Sequence, residues 1–221
     1  MTRTSIAQQY FMLTIDKNGC MPPMRKQECN AGLIAAGVMD LLLYNVATME
    51  KKKITVISAL PNTLEHLASL YAYLAEKTRS TDNLMQYYLM STSSRIKQLT
   101  ADIGESLFAA QAVTKAVSGL FVKQTVYIPE LDCKNALADA LRSAVTQDNS
   151  ISPHDAALLC LLQETKNLNQ YVSKQEYAAW KTTWRTIKRD PQNKTLTDMV
   201  RQIDNMTALL TFWVVNGFGT P

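Results

Sequence analysis

The stretch that most constrains the fold of this chain is residues 30–46, NAGLIAAGVMDLLLYNV, which is small or apolar on every side and carries one charge, Asp40. A surface helix of a globular protein has a polar back, whereas a helix that is apolar all round is buried. A bilayer span needs about 20 apolar residues, so this stretch is too short to cross a membrane. It predicts a central core helix, with Gly32 and the Ala-Ala-Gly at 35–37 allowing close approach of neighbouring helices.

Length and composition predict a globular protein rather than a disordered or fibrous one. The 221 residues are 47% hydrophobic and 19% charged, which fits a single domain spanning 1–221. Four cysteines occur without a C-x-x-C pair, and the N-terminus has no apolar run of signal-peptide length. Both features predict a cytoplasmic protein with reduced thiols. The net charge of +4 favours weak attraction to anions and does not by itself indicate nucleic acid.

Helical periodicity and capping signals recur along most of the rest of the chain. They predict further helices over 5–13, from 62, over 84–90, over 94–117 with Gly119 as its C-cap, from 132, from 153, over 174–188 and over 195–215. The histidines, His66 and His154, are expected at surface or capping positions. The predicted fold class is therefore all-α: a mainly helical single domain with two small β-hairpins.

The first hairpin is predicted from short β-branched runs at 46–49 and 54–57, which flank the polar tip 50–53 with its three lysines. The second is predicted from 120–122 and 125–128, joined by Lys123-Gln124. It is unusually apolar for an exposed hairpin, with Phe121, Val122, Val126, Tyr127 and Ile128. Either this hairpin folds down on its own domain, or it docks on another copy. The second interpretation predicts a homo-oligomer assembled through residues 120–128.

Catalytic and metal-binding motifs are not found in the sequence. It contains no G-x-S-x-G, Gly-rich phosphate loop, H-E-x-x-H or G-x-G-x-x-G. The two histidines are far apart, and Cys29, near Arg25 and Lys26, is the candidate considered for a reactive thiol, which needs a basic partner. We therefore predict a protein that is not an enzyme and that has no metal site and no cofactor.

An amphipathic pattern marks residues 174–188. Aromatic and apolar residues recur at spacings of 3, 4 and 3, beside a basic row, as Tyr177, Trp180, Trp184 and Ile187 beside Lys181, Arg185 and Lys188. A basic helix with tryptophan on its apolar face can lie on an anionic membrane. Alternatively, the tryptophan face packs in the core and the basic face is solvated. Nucleic-acid binding through the basic row, continued by Arg189, is not expected, since no helix-turn-helix or aromatic platform accompanies it.

Three segments together resemble the Golgi phosphoprotein 3 family. They are AGLIAAGVMDLLL after a first helix and a turn at 16–19, the helix–hairpin–helix segment 119–145, and the closing AALLCLLQE…WKTTWRTIKRDP. The resemblance covers nearly the whole chain and points to the bacterial relatives of that family. It implies a helical, non-enzymatic lipid-binding domain with an oligomer-forming hairpin. Family members bind phosphatidylinositol 4-phosphate and retain glycosyltransferases through their cytosolic tails.

The family's headgroup residues correspond to different residue types in this chain. The arginine that follows G-L in eukaryotic members is Ile34, the stacking tryptophan falls near Arg25, and Lys115 is the only cation in 102–117. The candidate lipid-headgroup or anion ligands are therefore Arg25, Lys26 and Lys115. The resulting hypothesis is a peripheral protein on the cytosolic membrane face that binds anionic headgroups or cytosolic tails of membrane proteins. The alternative is a soluble protein–protein interaction or regulatory module without a lipid ligand.

Overall fold

The computed structural model describes residues 4–90, 94–119, 123–146 and 151–189. Within these ranges the chain forms eight α-helices: α1 (Ile6–Thr14), α2 (Lys26–Leu43), α3 (Ala68–Ala75), α4 (Thr81–Leu89), α5 (Ser94–Ala109), α6 (Leu131–Thr146), α7 (Pro153–Glu164) and α8 (Lys174–Arg189). The strands are β1 (Ala47–Glu50), β2 (Lys53–Val56), β3 (Arg79–Ser80), β4 (Val113–Ser118) and β5 (Gln124–Pro129). The predicted mainly helical class is confirmed. The helix predicted over 195–215 lies outside the described residues.

Helix α2 is the centre of the core, as its sequence predicts. Every residue from 31 to 42 is buried, and α1, α4 and α7 pack around it. Close approach depends on its small residues: a Cβ added at Gly32 would lie 2.1 Å from the hydroxyl oxygen of Tyr10 in α1. Helix α1 itself begins with a capping box between Ser5 and Gln8, which satisfies two backbone N–H groups at its start.

The first hairpin forms as predicted. Strands β1 and β2 pair antiparallel with Glu50 opposite Lys53, and the two turn residues, Lys51 and Lys52, both have positive φ. Such two-residue turns match the right-handed twist of the flanking strands. All three lysines of the tip are exposed. The short third strand β3, which pairs with β2, was not predicted because two residues carry no detectable alternation.

The second hairpin differs from the prediction. Helix α5 ends at Ala109, so the predicted helix over 94–117 is wrong beyond that residue, and β4 takes the last part of it. Strand β4 pairs with β5 from Val113 opposite Pro129 to Ser118 opposite Gln124. Gly119, with φ of 110°, therefore follows a strand and is not a helix C-cap. Gln124 is the first residue of β5 rather than part of the turn, and residues 120–122, including the predicted Phe121 and Val122, lie outside the described residues.

Tyr127 of β5 packs the second hairpin against α5. Its ring lies against Gly104 of α5, where an added Cβ would be 2.3 Å from the ring, and it meets Phe11 edge to face at 6.3 Å. Val126 and Tyr127 are both buried within their own chain, and Ile128 is half-buried. Of the two alternatives predicted for this hairpin, these residues follow the first, in which the hairpin packs on its own domain. The homo-oligomer remains a prediction.

Helix α8 packs its tryptophan face into the core. Trp180 is fully buried and stacks on Trp184 at 5.3 Å, and its indole N–H donates to Oε1 of Gln163 in α7 at 3.1 Å. Lys181 and Arg185 are exposed. Of the two interpretations of this helix, core packing of the tryptophans is the one found. A membrane contact by that face would require undocking α8.

Candidate functional site

Arg25 joins the start of the central helix to the end of α7. It closes the short 3-10 turn Pro23–Arg25 that leads into α2, and it is half-buried. Its Nη1 donates to the carbonyl oxygens of Thr165 at 3.1 Å and Lys166 at 2.6 Å. The last carbonyls of a helix lack intrahelical donors and carry partial negative charge, so a cation there is stabilising. The guanidinium is thus partly occupied by its own chain.

Around Arg25 the structure assembles an exposed basic surface. Lys26 and Lys166 are both exposed, and Met24, between the prolines and the cations, is 96% exposed. We call Met24, Arg25, Lys26 and Lys166 the basic corner. Lys166 escapes sequence reasoning because it is 141 residues from Arg25 and has no basic neighbours in sequence. An exposed apolar side chain followed directly in the chain by two cations suits an anionic surface that has an apolar layer beneath it.

Lys115, the third predicted anion ligand, belongs to a different part of the molecule. It lies on β4, where its Nζ is 2.5 Å from Oε2 of Glu105 and 4.0 Å from the ring centre of Phe108. Hydrogen bonds from Lys115 and from Tyr127 hold the pKa of Glu105 below its ordinary value. Among the described residues, no recorded contact of Lys115 involves the basic corner. The three predicted ligands are therefore not brought together.

The other residues considered for chemistry are buried. Cys29 is fully buried, its Sγ accepts from Nδ2 of Asn167 at 3.4 Å, and burial raises the pKa of its thiol. A reactive cysteine needs the opposite shift. His66 is buried rather than at the surface, with Nε2 2.9 Å from Oγ of Ser5, the residue that caps α1. The position that carries arginine in eukaryotic relatives, Ile34, is also fully buried.

Among the described residues, no cluster of three or more histidine, cysteine, aspartate or glutamate side chains could hold a metal ion. None of the described helices combines the length and apolarity needed to span a bilayer.

The fold and this surface define a mainly helical domain with two small antiparallel sheets and an exposed basic corner. The sequence model of the Golgi phosphoprotein 3 (GPP34) family matches residues 6–204, which is nearly the whole chain. The chain therefore belongs to the Golgi phosphoprotein 3 family. A search of curated proteins finds no match.

Proposed function

We propose that this protein is a non-enzymatic peripheral membrane protein of adaptor type that binds anionic lipid headgroups on the cytosolic membrane face through the basic corner. Family membership supports this class of function. The observation that carries the proposal is Met24, which is 96% exposed and is followed directly in the chain by Arg25 and Lys26. A methionine so placed can enter the interfacial region while the lysines contact headgroups.

The expected affinity is low. Each basic residue near an anionic surface contributes about 1 kcal/mol, and full burial of a methionine side chain contributes about 1.5–3 kcal/mol. Because Arg25 already donates to Thr165 and Lys166, the headgroup contacts fall mainly to Lys26 and Lys166. The family ligand phosphatidylinositol 4-phosphate is one candidate headgroup. With Ile34 buried where eukaryotic relatives have arginine, we propose recognition of negative charge rather than of one phosphoinositide.

Liposome flotation at low salt tests the proposal. Vesicles with about a quarter of phosphatidylserine should recover the protein, neutral phosphatidylcholine vesicles should not, and salt should weaken recovery because exposed charges are screened. The variant Lys26→Gln with Lys166→Gln should abolish flotation, and Met24→Ser should reduce it. The matched control is Lys51→Gln with Lys52→Gln, which removes two exposed lysines from the first hairpin. Equal losses in both double variants would reject the basic corner as the site.

The alternative is a protein-interaction module without a lipid ligand, and one observation favours it. Arg25, the cation at the mouth of the central helix, already donates to the end of α7. Absence of flotation with every anionic lipid, phosphatidylinositol 4-phosphate included, would select this alternative. Cytosolic tails of membrane proteins are then the expected partners.

Homo-oligomerisation through the second hairpin is also a proposal. Val126 and Tyr127 are covered by their own domain, so a second copy would have to contact other hairpin residues. Val117 on β4, 68% exposed, supports such a contact. Light scattering should give a mass above one chain, and Val117→Glu should return it to that of a monomer. A monomer mass for the wild type at micromolar concentration would reject the proposal.

A further inference from the structure

Two arginines and two tyrosines from four different elements form a layered stack at the surface. Tyr73 of α3 and Tyr87 of α4 stack face to face, with centroids 3.6 Å apart and 14° between the rings. The guanidinium of Arg79 in β3 lies 3.8 Å from the centre of Tyr73, and that of Arg95 in α5 lies 3.6 Å from the centre of Tyr87. Since each ring covers one face of the other, the guanidinium groups cover the two outer faces. We call these four residues the Arg–Tyr stack.

The stack holds both guanidinium groups in fixed orientations. Arg79 donates from Nε to the carbonyl oxygen of Tyr73 at 2.9 Å, and Arg95 donates from Nη1 to that of Tyr87 at 3.2 Å. A guanidinium has five N–H donors, all in its own plane. Beyond these two bonds, each guanidinium has further N–H donors for a ligand. Stacked arginine is well suited to binding acidic groups because its fork is already in place.

The Arg–Tyr stack borders an open groove of about 420 Å³. Helix α4 contributes Asn83, Gln86 and Tyr87 to it, and Met90, the C-cap residue, follows at the spacing of the same helical face. Asn83, Gln86 and Met90 are exposed. In the described part of the chain, the lining of this groove has two arginines and no carboxylate, while Glu76, outside the lining, pairs with Arg79.

We propose that this groove binds an extended peptide segment with two acidic side chains three residues apart, one for each guanidinium of the Arg–Tyr stack. The two guanidinium groups are separated by three stacking steps of 3.6 to 3.8 Å. In an extended chain of the polyproline II type, residues three apart point the same way, and each residue advances about 3.1 Å. The two spacings match closely enough for both carboxylates to be contacted at once.

A carboxylate of the protein itself shows that this surface accepts one. Glu76 pairs with Nη2 of Arg79, and its side chain is 66% exposed. Glu76 is the exposed member of this pair, whereas the side chain of Arg79 is only 12% exposed. An incoming acidic side chain has to take the place of Glu76 at Arg79, where solvent weakens the pair from the Glu76 side. A peptide with two carboxylates has the advantage of engaging Arg95 as well.

The remaining groove residues favour a peptide over a small anion. The carboxamides of Asn83 and Gln86 each offer donors and an acceptor, which complement both halves of a backbone peptide group. A phosphate could use only the donors. Met90, 68% exposed, provides an adaptable apolar contact for a side chain between the two acids. The openness of the groove also suits a chain lying across it.

Fluorescence anisotropy with labelled proline-rich peptides tests the proposal. The probe carries glutamates three residues apart, and the comparison peptides carry glutamines at the same positions or two adjacent glutamates. The probe should bind about tenfold more tightly than the peptide with adjacent glutamates, which loses one charge-assisted contact, and about a hundredfold more tightly than the glutamine peptide, which loses two. Equal binding of the glutamine peptide, or no binding of the probe, would overturn the proposal.

Variants locate the site. Arg79→Gln and Arg95→Gln should each weaken probe binding about tenfold, whereas Lys97→Gln, an exposed cation on the same helix as Arg95, should leave it unchanged. Asn83→Ala with Gln86→Ala changes two exposed side chains and should weaken binding without loss of fold, as checked by near-ultraviolet circular dichroism. Unchanged binding in the arginine variants would overturn the proposal. If the arginine variants unfold, unchanged binding in the carboxamide variant would overturn it instead. Full displacement of the probe by equimolar inorganic phosphate would identify a small-anion site and would also overturn it.

Discussion

Two carboxylates near α1, one at its start and one in the turn that follows it, each accept two backbone N–H groups, yet they differ in geometry and burial. At the start of the helix, Asp40 of α2 uses both oxygens. Its Oδ1 accepts from the N–H of Ile6 at 2.8 Å, and its Oδ2 accepts from that of Ala7 at 2.9 Å. Asp40 is fully buried. After the end of the helix, Asp16 makes the same number of bonds at an exposed turn.

Asp16 accepts both of its hydrogen bonds with a single oxygen. Its Oδ1 accepts from the N–H of Asn18 at 2.8 Å and from that of Cys20 at 2.9 Å. Partial desolvation pushes the pKa of Asp16 upward, but the two hydrogen bonds outweigh it and the pKa lies below its ordinary value. For Asp40 the balance is reversed: burial raises the pKa to about 7 against the same kind of bonds.

The comparison shows that the number of hydrogen bonds does not define what a carboxylate contributes. Asp40 is needed as a side chain with two acceptor oxygens, because two separate oxygens must face two N–H groups that water cannot reach. Asp16 is needed as one acceptor oxygen in a solvated turn, which asparagine also supplies. Burial determines how much stability is lost when a substitution at either position leaves a backbone N–H without an acceptor.

The largest effect is expected for Asp40→Asn. The amide keeps one acceptor oxygen and turns its NH2 group toward a backbone N–H, so one buried donor of α1 loses its partner. The free energy of unfolding should fall by about 3 kcal/mol, the upper end of the cost of an unsatisfied buried group. Urea denaturation at pH 6 followed by circular dichroism measures this. An unchanged midpoint would mean that the start of α1 does not depend on Asp40.

The second prediction concerns pH. Because the pKa of Asp40 rises from its ordinary value of 3.8 to about 7, the native state binds the proton more tightly than the unfolded state. Its contribution is complete below the ordinary pKa and is lost as the pH rises through about 7. The difference in unfolding free energy between wild type and Asp40→Asn should therefore narrow from pH 4 to pH 8, by about 4 kcal/mol.

The buried His66 changes the stability with pH in the opposite direction to Asp40, so its contribution must be separated from that of Asp40. Burial lowers its pKa to about 4, so its contribution is lost as the pH falls from its ordinary pKa of 6.5 toward 4. Since both proteins contain His66, its effect cancels in the difference between wild type and Asp40→Asn. A difference that widens with pH would contradict the raised pKa of Asp40.

The third prediction concerns the turn after α1, where we expect Gly19 to contribute more to stability than Asp16. Gly19 has φ of 74°, and a Cβ there would lie 2.6 Å from the backbone oxygen of Tyr127. Gly19→Ala should lower the free energy of unfolding by about 2 kcal/mol, through left-handed strain and displacement of β5. The control is Gly37→Ala in α2, where the Cβ would meet flexible ends of Leu70 and Leu67 and helix propensity improves. Urea denaturation should show the smaller loss for this control.

Local patterns were enough to predict α2 and the first hairpin. An all-apolar helix can only be buried, and short β-branched runs around a polar tip fold as one contiguous unit. The second hairpin could not be predicted in the same way. The alanine-rich segment before β4 favours a helix by propensity, but Tyr127, which comes later in the chain, occupies the space over Gly104 and fixes β4 as its partner.

The candidate sites follow the same rule. Arg25 and Lys26 are adjacent in sequence and were found, whereas Lys166 reaches the basic corner only through the fold. The Arg–Tyr stack draws one residue from each of four elements, so no period in the sequence marks it. Asp40 was noticed as the one charge in an apolar stretch. Its partners are the first N–H groups of another helix, which only the packing of α1 on α2 brings within reach.

The smallest effect is expected for Asp16→Asn. The asparagine Oδ1 can accept from the N–H groups of Asn18 and Cys20 as the carboxylate does, so the free energy of unfolding at pH 7 should change by less than about 0.5 kcal/mol. Because the pKa of Asp16 is lowered, its charge stabilises the fold above its ordinary pKa, and this contribution is lost as the pH falls through the lowered value. The small difference between wild type and Asp16→Asn should therefore shrink as the pH is lowered from 7 to 3. Asp16→Ala, which removes the acceptor, should cost about 1 kcal/mol at both pH values. Asp16→Asn could instead prove as destabilising as Asp40→Asn in the same urea titration. Burial and the use of two oxygens would then not be what distinguishes Asp40 from Asp16.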